Sequence, residues 1–235
     1  MLAPCGAPCP TTIFSSLPCP SKGRPGRRVL LEARHISHAH RSASRLLDDI
    51  SLVVSPGEVV GLAGASGAGK STLGRLLAGH YPPRQGEVLL DGSPLPGRGL
   101  APVQWLPQTP ELAINPRWTI RRILHEAWTP DPALCERFGI RATWRQRYPF
   151  ELSGGELQRV AIVRALAPEV RYLIADEISA MLDAITQAQL WHALLELLQE
   201  RSLGLLVISH DDALLRRLCS RCLRLESGRL LPHAP

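Results

Sequence analysis

Eight residues, GASGAGKS at 64–71, place a lysine, a hydroxyl and three glycines at fixed spacing. The pattern is G-x-x-x-x-G-K-[ST], and its chemistry is phosphate binding. Bare glycines at 64, 67 and 69 let the backbone wrap an anion. Successive N–H groups then point inward, and a helix starting behind them adds its positive end. Lys70 brings a cation to the terminal phosphates, and the Ser71 hydroxyl brings an oxygen for Mg²⁺. The binding residues read from this loop are Gly64, Ala65, Ser66, Gly67, Ala68, Gly69, Lys70, Ser71 and Thr72.

About a hundred residues downstream, YLIADE (172–177) is an apolar strand that stops at two carboxylates. Asp176, at the strand's carboxyl end, would reach the water shell of a Mg²⁺ ion. Glu177, one residue on, would take a proton from an attacking water. A GTPase or simple kinase needs no carboxylate base at that point, so Glu177 favours ATP hydrolysis. Between these two motifs lies ELSGGELQRV (151–160), which opens a helix with two adjacent glycines. Each glycine costs roughly 1 kcal/mol of helix propensity against alanine. Ser153 alone would explain an N-cap; it does not explain Gly154 and Gly155.

With these motifs in order, the chain resembles the ATP-binding subunits of ABC transporters. LSGGE (152–156) is similar to their signature motif. GASGAGKST, Gln108, LSGGELQR, YLIADE, Asp183 and His210 in VISHD follow the family's order over about residues 29–230. The resemblance implies a P-loop ATPase fold of class α/β: a mostly parallel sheet, an antiparallel β subdomain and an inserted helical subdomain. It implies ATP and Mg²⁺ as cofactors. It also gives the glycines a target. In this family the signature of one subunit closes on ATP held by its partner's phosphate loop, so Ser153 and the amides of Gly154 and Gly155 would bond a γ-phosphate in trans. Gln108 resembles the glutamine that senses Mg²⁺ and links the insert to the core. Asp183 resembles the acid that communicates with the opposite site, and His210 the histidine that contacts the γ-phosphate. The position of the adenine-stacking aromatic is taken by His40 in ARHISHAHRS. A metal cluster of His35, His38 and His40 is the other reading of that stretch. Residues 178–183 read ISAMLD where the family more often has Pro-Thr-Ser-Ala-Leu-Asp.

QTPELAINPRWTI (108–120) and YPFELSGGELQRVAIVRALA (148–167) resemble the family's peptide/nickel-import branch. That implies a homo- or heterodimer with a second ABC ATPase subunit and two transmembrane permease subunits. It also implies an indirect link to a solute-binding protein and a peripheral place on the cytoplasmic face of the membrane. No nucleic-acid partner is expected. The rival reading is a non-transport ABC ATPase acting on nucleic acid or ribosomes. Its members usually carry two ATPase units or long insertions, and this chain has one unit.

These residues need a scaffold. The chain has 235 residues, 45% apolar and only 5% aromatic, so its core must be aliphatic. Net charge is +6, almost all from arginine, and lysine occurs only at 22 and 70. No stretch nears the roughly 18 continuous apolar residues of a membrane span. Residues 1–28 are rich in Pro, Gly and Ser, hold Cys5, Cys9 and Cys19, and read as a disordered tail. Cys219 and Cys222 form a lone CxxC, better read as half-buried structural thiols than as a metal pair. Apolar runs predict strands at 30–34, 46–54, 59–64, 87–92, 103–108, 170–177 and 203–210. Helices are predicted at 72–79, 184–201 and 211–219, with a hairpin-like pair at the end. Prolines at 110, 116, 130, 132, 149 and 168 break the region 109–168 into short helices. The expected organisation is an ATPase domain over 29–235, with core 29–108 and 169–235 around that insert.

Overall fold

The computed structural model describes residues 30–39 and 46–234. The expected disordered tail with its three cysteines, and His40, lie outside the described residues. The chain opens with β1 (Leu31–His38) and β2 (Leu47–Val54), an antiparallel pair. In β2, Ile50, Leu52 and Val54 are buried and Asp49, Ser51 and Val53 exposed, the alternation of a sheet with one wet face. β1 runs four residues beyond the predicted strand. A register shift between Ala33 and Ile36, with His35 at φ +50°, returns Ile36 to the core and lets pairing resume.

β3 (Val59–Ala63) is buried at every position and leads through the phosphate loop into α1 (Lys70–Leu77). This helix begins two residues before the predicted start and ends two before the predicted end. Gly69 at its head and Gly79 beyond its end, both at positive φ, set the limits. β4 (Gln85–Leu90) pairs with β1, and β5 (Ser93–Pro94) with β4, which gives a four-stranded sheet in the order β2-β1-β4-β5. β6 (Val103–Leu106) precedes the insert, whose α-helices are α2 (Ile120–Leu124), α3 (Pro132–Arg137) and α4 (Gly154–Arg164). Short 3₁₀ turns at 110–113, 142–144 and 149–151 complete the insert, the first and last beginning at a proline.

β7 (Tyr172–Asp176), α5 (Ala184–Arg201), β8 (Gly204–Ile208), α6 (Asp212–Leu218), β9 (Arg221–Glu226) and β10 (Arg229–His233) complete the chain. The second sheet has the order β10-β9-β3-β8-β7-β6, parallel except for the β10–β9 pair. Both of its faces are covered, so its central strands are apolar throughout. Val60, Leu62, Tyr172, Ile174, Leu206 and Ile208 face α1 and the first sheet. Val59, Ala63, Leu173, Ala175, Leu205 and Val207 face the insert and α5.

The insert is tied to this frame by polar contacts. Buried Gln158 of α4 donates to the Pro107 carbonyl at 3.4 Å. Arg137 of α3 bonds Glu196 and Glu200 of α5 at 2.9 and 2.8 Å. Cys219 and Cys222 fill the space beside Gly61, where a Cβ would stand 2.7 Å from the Cys222 sulfur. Burial pushes both thiols up, which makes them poor nucleophiles.

Candidate functional site

Parallel pairing lines up the carboxyl ends of four strands. Leu62 and Asp176 both register with Ile208, and Leu106 registers with Ala175. The phosphate loop after β3, Gln108 after β6, Asp176 and Glu177 at the end of β7, and His210 after β8 therefore meet at one edge. Ligands of open α/β sheets bind at such an edge.

In the loop, Gly69 sits at φ +105° and heads α1 without a side-chain cap. A Cβ there would lie 3.0 Å from Leu46 Cγ, so neither the backbone conformation nor the space suits another residue. The first N–H groups of α1 are thus left for an external acceptor. Lys70 is buried at 7% exposure and donates to the carbonyls of Gly64 and Ala65 at 2.8 and 2.9 Å. Its ammonium is already aimed back across the loop.

Asp176 is buried at 5% exposure. That burial pushes its carboxyl above the usual range. The Ser71 hydroxyl and, less strongly, the Trp105 indole lie against it and favour the charged form, while neighbouring Glu177 opposes it. A hydroxyl and a buried carboxylate side by side are the donor set of a hard divalent cation. Glu177 has φ +51°, uncommon for a side chain of this size. Its N–H donates to the Ile208 carbonyl at 3.0 Å, which holds the turn across to β8. Its carboxylate meets His210 Nδ1 at 3.2 Å. Both residues line a cleft of about 240 Å³.

The signature residues lie elsewhere. Ser153 caps α4: its hydroxyl accepts from the Glu156 N–H at 3.3 Å, and the Glu156 carboxylate accepts from the Ser153 N–H at 2.9 Å. This reciprocal cap explains the serine and the glutamate. Gly154 is different, because among the described residues outside its own helix turn a Cβ there would have no heavy atom within 4 Å. A Cβ on Gly155 would stand 2.7 Å from Leu182 Cδ2. Ser153, Gly154 and Gly155 share a hollow of about 460 Å³ with Arg141, Met181 and Asp183. None of the described residues lining it belongs to the phosphate loop.

Asp183 caps α5. It accepts from the N–H groups of Ile185 and Thr186, each at 3.0 Å, and from the Thr186 hydroxyl at 2.6 Å. The Thr186 hydroxyl, then the backbone donors, hold its carboxyl below the usual range. Sequence reasoning missed what fixes the segment between Glu177 and Asp183. Ser179 is buried, and its hydroxyl oxygen accepts from Gln187 Nε2 at 2.9 Å and Trp191 Nε1 at 3.1 Å. The only signal was a tryptophan on the apolar face of the following helix. The histidine stretch divides: His35 bonds Asp49 at 2.7 Å, and His38 tilts against Tyr81 with centroids 5.4 Å apart.

Comparison with known proteins converges on this geometry. The ABC transporter family model matches residues 47–180. The chain is 36% identical over 233 residues to the nickel import ATP-binding protein NikE of Pseudomonas putida, covering 88% of this chain and 85% of that protein. It is 34% identical over 230 residues to the oligopeptide transport ATP-binding protein OppF of Bacillus subtilis, covering 88% and 75%. A solved ATP-binding subunit of an ABC transporter superposes with a TM-score of 0.75 at 28% identity, covering 86% of this chain and 88% of that one. A dimeric ATP-binding cassette with ADP and Pi shares the fold, with a TM-score of 0.72 at 22% identity and coverage of 85% and 96%. The glycine- and lysine-bearing loop, the acid pair at the sheet edge and these relatives lead to one conclusion: the chain belongs to the ABC transporter family, as an ATP-binding, ATP-hydrolysing subunit.

Proposed function

We propose that two such subunits, identical or related, close face to face around two ATP molecules and drive import of peptides or nickel complexes. Two permease subunits in the membrane would carry the cargo, delivered by a solute-binding protein. The cargo class rests on the names of the relatives, NikE and OppF. The chain would then sit on the cytoplasmic face of the membrane, held there by the permeases. The helical subdomain 109–168, set in a core of 29–108 and 169–235, would carry the permease contact. The adenine would be stacked by His40.

One observation carries the closure. The signature glycines line a hollow in which none of the described lining residues belongs to the phosphate loop, and no described residue stands where a Gly154 side chain would be. None of the described residues fills that space, which leaves room for an incoming γ-phosphate from a second copy. Ser153 and the amides of Gly154 and Gly155 would then complete the site at the positive end of α4.

Within each site the residues divide the work. The loop amides and Lys70 hold the phosphates. Ser71 and Asp176 would hold Mg²⁺ with Gln108, and the ion would neutralise charge on the terminal phosphates. Glu177 accepts the proton of the attacking water. Glu177 has a left-handed backbone and its carboxylate meets His210, which would orient it and contact the γ-phosphate. Asp183, beside the signature, would signal occupancy to the opposite site.

Glu177→Gln tests the scheme. It should keep ATP affinity, lose hydrolysis by at least about a hundredfold, and run as a dimer only with ATP. A variant that remains monomeric in saturating ATP and still hydrolyses it would overturn both the base and the closure.

A further inference from the structure

Trp105 has no part in the scheme above, yet it lies against the group that scheme assigns to Mg²⁺. Alternate strand residues share a face. Asp176 is therefore on the same side of the sheet as Tyr172 and Ile174 of β7 and Val103 and Trp105 of β6. Trp105 registers with Ile174, which makes Asp176 its diagonal neighbour, within reach of an aromatic side chain.

Three residues of the α1 segment shape the ring's position. A Cβ on Gly74 would stand 3.1 Å from both Ile174 Cγ2 and Ile208 Cδ1 and 3.6 Å from Trp105 Cδ1, so the bare backbone lets helix and indole meet closely. The Arg75 guanidinium lies 4.6 Å from the ring centroid. His80 meets the ring edge-on at 5.3 Å. These contacts leave the Trp105 indole N–H buried without an aligned acceptor. It lies beside the Asp176 carboxyl, short of a full hydrogen bond. Buried N–H groups without a partner are rare and need a reason.

We propose that Trp105 is a positioning residue for Asp176, its indole N–H being the donor that holds one carboxylate oxygen while the other faces the cation. This rests on the reading of Asp176 as a Mg²⁺ ligand. A bound ion would take the Ser71 hydroxyl as a ligand. The buried, unpartnered indole N–H would then be a donor available to the carboxylate beside the Arg75 cation. Arg75 and Gly74 keep the ring in place, and Arg75 draws electron density from it, which strengthens the N–H as a donor.

The test uses the full chain and ADP, titrated calorimetrically in excess EDTA and in saturating Mg²⁺. Trp105→Phe keeps the ring and removes the donor. Its affinity in EDTA should match the parent within about twofold, while the gain from Mg²⁺ falls about tenfold, as for loss of one charge-assisted hydrogen bond. Trp105→His, which retains a ring N–H, should recover part of that gain. A parent and a Trp105→Phe protein with equal Mg²⁺ gains would overturn the proposal. A parent with no Mg²⁺ gain would overturn the reading of Asp176 beneath it. The parent alone gives a second readout if the variants do not fold. The Trp105 indole N–H resonance, identified by its proximity to the Ile174 methyl, should move downfield when Mg²⁺ joins the nucleotide complex. An unmoved resonance would also overturn the proposal.

Discussion

Gly154→Ala separates a local role for the signature glycines from a role between subunits. Gly154 is the first residue of α4, and an added methyl meets nothing within 4 Å. Alanine is the better helix former by up to about 1 kcal/mol, less at a first helical position. For a chain of this size that corresponds to a rise in melting temperature of about 2–4 °C at most. A purely structural glycine therefore predicts a variant at least as stable and fully active. The trans reading predicts the opposite for activity, because the methyl occupies the space where a second subunit's γ-phosphate must approach the amides. Removing one preorganised donor from a developing anion costs about 10²–10³ in rate, so ATPase should fall at least about a hundredfold. Thermal unfolding and steady-state phosphate release on the same preparation give both quantities. Adding Glu177→Gln and measuring ATP-induced dimerisation by size exclusion locates the defect at closure. A stable Gly154→Ala protein with parental ATPase and intact ATP-dependent dimerisation would refute the reasoning. Gly155→Ala is not equivalent: its methyl would press on Leu182 Cδ2, next to Asp183, and would disturb the same copy.

Ser153→Asp should retain the α4 cap and the parental melting temperature but lose ATPase, because it sets a carboxylate against the incoming phosphate; Ser153→Ala should lose both, with about 1 kcal/mol of stability from the missing cap. Asp176→Asn should abolish the response to Mg²⁺ yet raise the melting temperature at neutral pH. The folded carboxyl titrates above its unfolded value, so the native state binds more protons and the parent loses stability as pH rises through that window. The difference between the two proteins should close below about pH 4, where the carboxyl is protonated in both states; a gap that persists at acid pH would contradict the assignment of its cause. Buried Cys222, with its raised pKa, should react with a thiol reagent only on unfolding, and half-buried Cys219, also raised, only slowly before it; prompt labelling of Cys222 in the native protein would show that the α6–β9 junction opens.

Much of the site was legible because its parts are local. A phosphate loop needs glycines and a lysine at set offsets within eight residues, so its chemistry is written in consecutive letters. The same holds for the apolar strand ending in Asp176 and Glu177. Strand limits were legible wherever both faces are buried, as in β3, β7 and β8. They failed in β1, where a bulge at His35 reverses the facing of residues and hides the second half of the strand from a period-two reading. The anchoring of Ser179 by Trp191 and the ring of Trp105 beside Asp176 were not legible, since each depends on which helix covers which face.

By itself, the sequence determined that this chain binds a nucleotide, carries two carboxylates at the end of an apolar strand and bears a helix start with glycines its own propensity disfavours. Spacing along the backbone decides such features, because a few bonds of fixed length hold the groups together. Only the tertiary structure decided that Leu62, Ile208 and Asp176 share one register, which brings residues more than a hundred positions apart to a single edge. Only it decided that, among the described residues, none from the phosphate loop lines the signature hollow and none stands where a Gly154 side chain would be. Strand order and helix placement follow from burying both faces of the sheet at once, a condition the whole chain must satisfy together.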